Sequence, residues 1–107
     1  MLGEFEYSLL SSAARLGEEA YGAAIRQDLE AITGRQCSLG ALYTTLDRLE
    51  QKGLLRTWRG EPSPERGGRA KKMVRLTAKG TREAQAFYEA VVRVSVGVAW
   101  ATEGVPQ

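Results

Sequence analysis

Apolar residues recur along the first half of the chain at the spacing of helices that each hide one face. Phe5, Leu9, Ala13 and Leu16 fall at i, i+4, i+8 and i+11, which predicts an amphipathic helix over residues 4–16, ended by Gly17. After a short acidic connection, Tyr21, Ile25, Leu29 and Ile32 repeat the pattern and predict a second helix from Tyr21 to Thr33. Gly34 stands where a left-handed C-terminal residue is expected. Both stripes are expected to face the core. A third stripe, Leu39, Leu42, Leu46 and Leu49, follows Ser38, a favourable N-cap. It runs to Lys52 and Gly53, where a cation meets the negative end of the helix dipole. The opposite face of that third helix carries Gly40, Thr44, Asp47 and Gln51, with Ala41 and Arg48 on one flank and Tyr43 on the other.

The period then shortens. Leu54 to Gly60 alternates as a strand does, Pro62 to Gly68 has the composition of a loop, and Ala70 to Leu76 returns as a second strand with Met73 or Val74 facing the core. Thr77 is placed to cap a last helix from Ala78. In that last segment Ala84, Phe87, Val91, Ser95 and Val98 fit a helical face with Tyr88 beside it. Val92, Val94, Val96 and Val98 alternate in a strand-like period. The unbroken helical pattern from residue 78 favours helix, and residues 102–107 are expected to fray. The order helix, helix, helix, strand, wing, strand, helix is mainly α with a small β-hairpin, the winged helix-turn-helix arrangement. Residues 1–77 would form a DNA-binding unit, and residues 78–101 a C-terminal helix of the same domain.

Charge sharpens this picture. The net charge is only +2, but it is unevenly spread. Residues 1–34 hold Glu4, Glu6, Glu18, Glu19, Asp28 and Glu30 against Arg15 and Arg26. Residues 56–82 hold Arg56, Arg59, Arg66, Arg69, Lys71, Lys72, Arg75, Lys79 and Arg82 against Glu61 and Glu65. A basic hairpin after a capped helix with a polar outer face is a way to hold a duplex. Other chemistry is scarce. The chain has no histidine and one cysteine, Cys37, which excludes an internal disulfide, His-based acid–base catalysis and a structural zinc site. An enzyme is therefore not expected, nor is a cofactor or metal. No apolar run approaches the ~20 residues that span a bilayer, so a cytoplasmic protein is expected.

Four stretches resemble the PadR family of bacterial transcriptional regulators: Leu16 to Gly22, Ser38 to Leu54, Glu65 to Lys72, and Leu76 to Gly80. The resemblance covers residues 3 to 82. It implies a homodimeric DNA-binding regulator with the third helix as recognition helix. Two departures stand out: Thr44 replaces a proline that many relatives carry after the tyrosine, and Met73 and Val74 stand where many have aromatic residues. Neither removes a DNA-binding group. Some members bind flat aromatic effectors between subunits, which makes Trp100 a candidate wall for a small aromatic effector.

The candidate DNA contacts follow. Ser38, Gly40, Ala41, Tyr43 and Thr44 lie in the helix half that meets base edges. Thr44 can hydrogen-bond a base or phosphate, and Tyr43 can reach a phosphate or wedge against the wing. Arg48 can touch the backbone or pair with Glu50 or Asp47. In the wing, Arg66 and Arg69, beside Gly67 and Gly68, can enter or bridge a minor groove. Lys71 and Lys72 point to opposite faces of a strand, so one of them meets phosphate. Phe87, Tyr88, Val91, Val98 and Trp100 exceed what a terminal helix in so small a monomer needs, and are candidates for pairing with a second copy. Cys37, beside the third helix's N-cap, is either a small buried residue or a thiol whose pKa that helix end lowers. A rival reading is a winged-helix adaptor or antirepressor that binds protein, not DNA; the basic wing argues against it.

Overall fold

The computed structural model describes residues 2–62 and 70–101. In these, four helices surround a two-stranded antiparallel hairpin: α1 (Glu4–Leu16), α2 (Gly22–Thr33), α3 (Leu39–Gln51), β1 (Leu55–Pro62), β2 (Ala70–Leu76) and α4 (Ala78–Val94). Short 3-10 turns cover Gly17–Glu19 and Ala99–Ala101. The expected order of elements is the observed one.

α1 is the hub, packing against α2, α3, α4 and β2. Its Leu9 and Leu10 are fully buried with Ile25 of α2, Leu42, Leu46 and Leu49 of α3, Leu54 and Leu55 at the start of the hairpin, and Val74 of β2. Each such side chain contributes roughly 1.5–3 kcal/mol through removal from water. Two polar ties fix α1. The buried Ser12 hydroxyl donates to Asp28 Oδ2 at 2.7 Å, and Arg15 donates to the same oxygen at 2.6 Å. At the other end, Gly3 N–H donates to Glu6 Oε1 at 2.9 Å, while Lys52 Nζ, at the C-terminus of α3, donates to Glu6 Oε2 at 3.0 Å. The Gly3 N–H bond, followed by Lys52, holds the Glu6 carboxyl below its ordinary pKa although burial opposes this.

The hairpin pairs Leu55 with Leu76, Thr57 with Val74 and Arg59 with Lys72; its register shifts between Arg59 and Pro62. Of the two candidates in β2, Val74 is the core residue and Met73 is half-buried. Tyr21 is not the first residue of a helix stripe. It caps α2 in an extended conformation and forms an isolated antiparallel bridge to Met73, and Val74 N–H donates to the Ala20 carbonyl at 3.0 Å. The short connection thus adds an edge to the sheet.

Ile32, expected in the core, is exposed, and so is Leu39 of the third stripe. They flank the α2–α3 connection, where no described element covers them, so the periodicity of each helix outruns its packing partner. The last helix is also shorter than its pattern. It stops at Val94, where the Ser95 hydroxyl donates to the Val91 carbonyl at 2.6 Å and Gly97 adopts φ +86°. A left-handed glycine three residues past the helix end turns the valine-rich segment away from helical continuation.

The first turn of α4 is stitched to the α3–β1 turn. Thr77 Oγ1 donates to the Gly53 carbonyl at 2.6 Å and caps Gly80 N–H at 3.0 Å; Lys79 Nζ donates to the Lys52 carbonyl at 3.0 Å. Gly80 is buried with its Cα against the Leu54 carbonyl. Beyond that turn α4 touches the body mainly through Phe87, whose ring stacks on Tyr7 with centroids 4.8 Å apart.

Candidate nucleic-acid interface

The exposed face of α3 begins at its cap. Ser38 is extended and its Oγ accepts Ala41 N–H at 3.2 Å, which satisfies one of the helix's free donors. Because Leu42, Thr45, Leu46 and Leu49 are drawn into the core, geometry leaves Gly40, Ala41, Thr44, Asp47 and Arg48 exposed on the other side. Arg48 forms no ion pair with Asp47 or Glu50 among the described residues; its charge instead helps to lower the pKa of Glu6.

Tyr43 sits at the edge of this face, half-buried. Its ring lies across Gly22, the first residue of α2, so closely that a Cβ at Gly22 would overlap the phenol. The sequence motif that ends in Tyr21-Gly22 therefore makes room for the tyrosine of α3. Lys72 Nζ lies 5.6 Å from the Tyr43 ring centroid, and its neighbour Lys71 lies 4.4 Å from that of Tyr21. The two lysines do point apart, and each rests on its own tyrosine, an attraction between cation and ring face. Lys72 also reaches Asp47 Oδ1 at 3.3 Å, bridging the hairpin and α3.

The hairpin's angle to α3 is held by Glu50, whose carboxylate accepts Thr57 N–H at 3.1 Å and Thr57 Oγ1 at 2.8 Å. On the side of the hairpin away from the core, Trp58 is partly exposed and has Arg56 and Arg75 at 5.3 and 5.7 Å from its ring centroid. A cavity of about 240 Å³ lies between Trp58, Arg59, Lys71 and Lys72. Arg66, Gly67, Gly68 and Arg69 lie outside the described residues.

Of the residues expected to pair two copies, Tyr88 and Val91 are exposed on α4, Val98 is half-buried, and Trp100 is 78% exposed. Phe87 is instead engaged with Tyr7 inside the chain. Cys37 is buried, and burial first, then Glu30, pushes its thiol pKa up, with Arg26 acting the other way. Of the two readings of Cys37, these surroundings favour the small buried residue. Cys37 is pinned by its backbone: its N–H donates to Glu30 at 2.7 Å and its carbonyl accepts from Arg26 at 2.9 Å. Among the described residues no group of three or more His, Cys, Asp or Glu side chains could hold a metal ion, and no helix is long and apolar enough to cross a membrane.

Sequence reasoning missed three participants: Tyr21 as the seat of Lys71, Gly22 as the floor for Tyr43, and Asp47 as partner of Lys72. Only Gly22 had a visible signal, a glycine at a helix start where no turn needs one.

The family model described as the transcriptional regulator PadR-like family matches residues 9–86. A search of curated protein sequences finds no match. Among solved structures, the chain is similar to RosR of H. salinarum at 30% identity and a TM-score of 0.66, over 92% of this chain and 81% of that one. A PadR-like transcriptional regulator from Bacillus cereus shares the fold at 23% identity and a TM-score of 0.71, over 92% and 93% of the two chains. F93 from STIV, a winged-helix DNA-binding protein, shares it at 22% identity and a TM-score of 0.70, over 91% and 97%.

Proposed function

The chain belongs to the PadR-like family of transcriptional regulators, and from that premise we propose that it is a cytoplasmic repressor that binds a pseudo-palindromic operator as a homodimer. Its fold and family are those of DNA-binding regulators, not enzymes. In the proposed complex the first half of α3 enters the major groove. Gly40 and Ala41 permit close approach, Thr44 reads an edge or methyl group, and Tyr43 lies at the phosphate side. Lys71 or Lys72, with Arg66 and Arg69 of the wing, grips the backbone or minor groove.

The observation that carries this reading is the placement of two lysines on tyrosine seats beside the exposed start of α3. A duplex held by that helix would bring its phosphates to one of them. Pairing of two copies is supported by the apolar residues that α4 and the segment after it leave uncovered: Tyr88, Val91, Val92, Val94, Val96 and Trp100. Two copies related by a two-fold axis would read half-sites about one helical turn (~34 Å) apart. The same pairing would make Trp100 a stacking wall for a small aromatic effector.

Selection of bound sequences from a random duplex pool tests the proposal. Recovery of an inverted repeat supports a dimer on a palindrome. Replacing Arg66 and Arg69 should then flatten the salt dependence of binding by about 0.9 log unit per lost phosphate contact. Absence of retention on random DNA at low salt would favour the adaptor reading.

A further inference from the structure

We propose that Asp47 is a specificity-determining residue: a carboxylate that Lys72 neutralises in the free protein and that a cytosine amino group must satisfy on DNA. This inference rests on the DNA-binding reading above. Asp47 follows Thr44 by three residues and Tyr43 by four, so it continues the face of α3 that carries them. Its side chain is 59% exposed. An acid on such a face is costly beside phosphate and needs a reason to be there.

The chemistry of the groove supplies one. A carboxylate only accepts hydrogen bonds. In the major groove cytosine presents a donor alone, its N4 amino group; adenine sets its N6 donor beside the N7 acceptor, while guanine presents N7 and O6 and thymine presents O4, all acceptors. Asp47 therefore suits cytosine best, meets adenine's donor only with the N7 acceptor beside it, and is repelled by guanine and thymine. Lys72 sets the threshold. It holds Asp47 at 3.3 Å while resting 5.6 Å from the Tyr43 ring centroid, and both partners of the pair are partly open to water. An exposed pair of this kind is weak and screened by salt, so a phosphate competes for the lysine. On a sequence with a suitably placed cytosine, Lys72 moves to phosphate and the amino group takes its place at Asp47. On other sequences either the lysine stays and a phosphate contact is lost, or the carboxylate is stranded facing acceptors. Discrimination then comes from a built-in repulsion as well as an attraction.

The test is titration of the full chain by fluorescence anisotropy against two duplexes, a pool-selected operator and a random sequence, across a range of salt. Asp47→Asn and Asp47→Ala should bind the random duplex several-fold more tightly, with a log–log salt slope about 0.9 steeper because Lys72 is freed for phosphate. The ratio of operator to random affinity should fall at least about fivefold. Reselection with Asp47→Ala should lose a cytosine preference at one position per half-site. In a Lys72→Ala background the steepening should vanish. An unchanged ratio and slope in both Asp47 variants, with the wild-type chain binding DNA normally, overturns this inference alone. Unfolding of Asp47→Asn at assay temperature overturns it too, since it would make the residue structural. Failure of the wild-type chain to bind any duplex at low salt overturns the DNA reading and this inference with it.

Discussion

Gly80 rests on the carbonyl of Leu54 with no space for a side chain between them. The obstacle is backbone, which cannot swing aside as a side-chain tip can. Gly80→Ala should therefore lift the first turn of α4 from the α3–β1 turn, breaking the Thr77 and Lys79 contacts with it. The expected cost is about 3 kcal/mol, at the upper end of overpacking effects. Urea unfolding monitored by circular dichroism measures it, and a loss below half that value would mean the turn yields easily.

Gly22→Ala makes a useful contrast, because here the obstacle is the far end of a tyrosine. The phenol can move, so stability should fall by only about 1 kcal/mol. Tyr43 would, however, leave its seat and disturb Lys72. DNA affinity should drop about tenfold while the thermal midpoint falls by only about 5 °C. Equal affinity of variant and wild type in an anisotropy titration would refute the coupling.

Acid should unfold the protein partly through Glu6. Its carboxyl titrates below its ordinary value of 4.5 in the folded chain, so the unfolded chain binds the proton first as pH falls. The stabilisation is complete above about pH 4.5 and is lost as pH falls through the lowered native value. Asp28, lowered chiefly by the Arg15 hydrogen bond with help from Ser12, behaves alike below its ordinary 3.8. Glu6→Gln should cost about 1 kcal/mol at neutral pH and flatten the acid limb of a stability–pH curve. A limb of unchanged steepness would assign acid sensitivity elsewhere.

Thr44→Ala should change sequence preference more than general affinity. Thr44 is exposed on α3 and makes no hydrogen bond among the described residues, so its loss leaves the free protein intact. Operator binding should weaken about fivefold or more with random DNA nearly unaffected. Equal losses on both would place Thr44 on phosphate.

Val91→Glu tests pairing. Val91 is exposed on α4, so a charge there should alter monomer stability by no more than about 0.5 kcal/mol. Sedimentation at micromolar concentration should shift from dimer to monomer, and operator affinity should fall at least tenfold. A wild-type chain that sediments as a monomer would remove the premise.

The elements were legible because each has a strong local signature: Ser38 and Thr77 are both observed caps, and the Leu42–Leu46–Leu49 stripe is core. What failed needed tertiary knowledge. Ile32 and Leu39 keep helical phase, yet periodicity does not say where a partner helix ends. The segment after Val94 keeps phase too, but Ser95 and Gly97 end the helix locally. At the interface, exposed residue types such as Thr44 and Arg48 could be named from phase alone. The Tyr43–Gly22 contact and the Lys72–Asp47 bridge join residues 21 and 25 positions apart, and no local pattern encodes such distances.

The stitching of α4 to the α3–β1 turn has a mechanical consequence. α3 has 13 residues, about 20 Å of helix, with Lys52 at the joint and Gly40 and Ala41 at the far end. A tilt of about 5° at that joint would swing the far tip by about 2 Å, a lever working from a fixed hinge. In a dimer clasped through α4, a small change of clasp angle would open or close the span between two reading heads like the legs of a caliper, so the gauge of the operator would be set at the end of α3 that never meets a base.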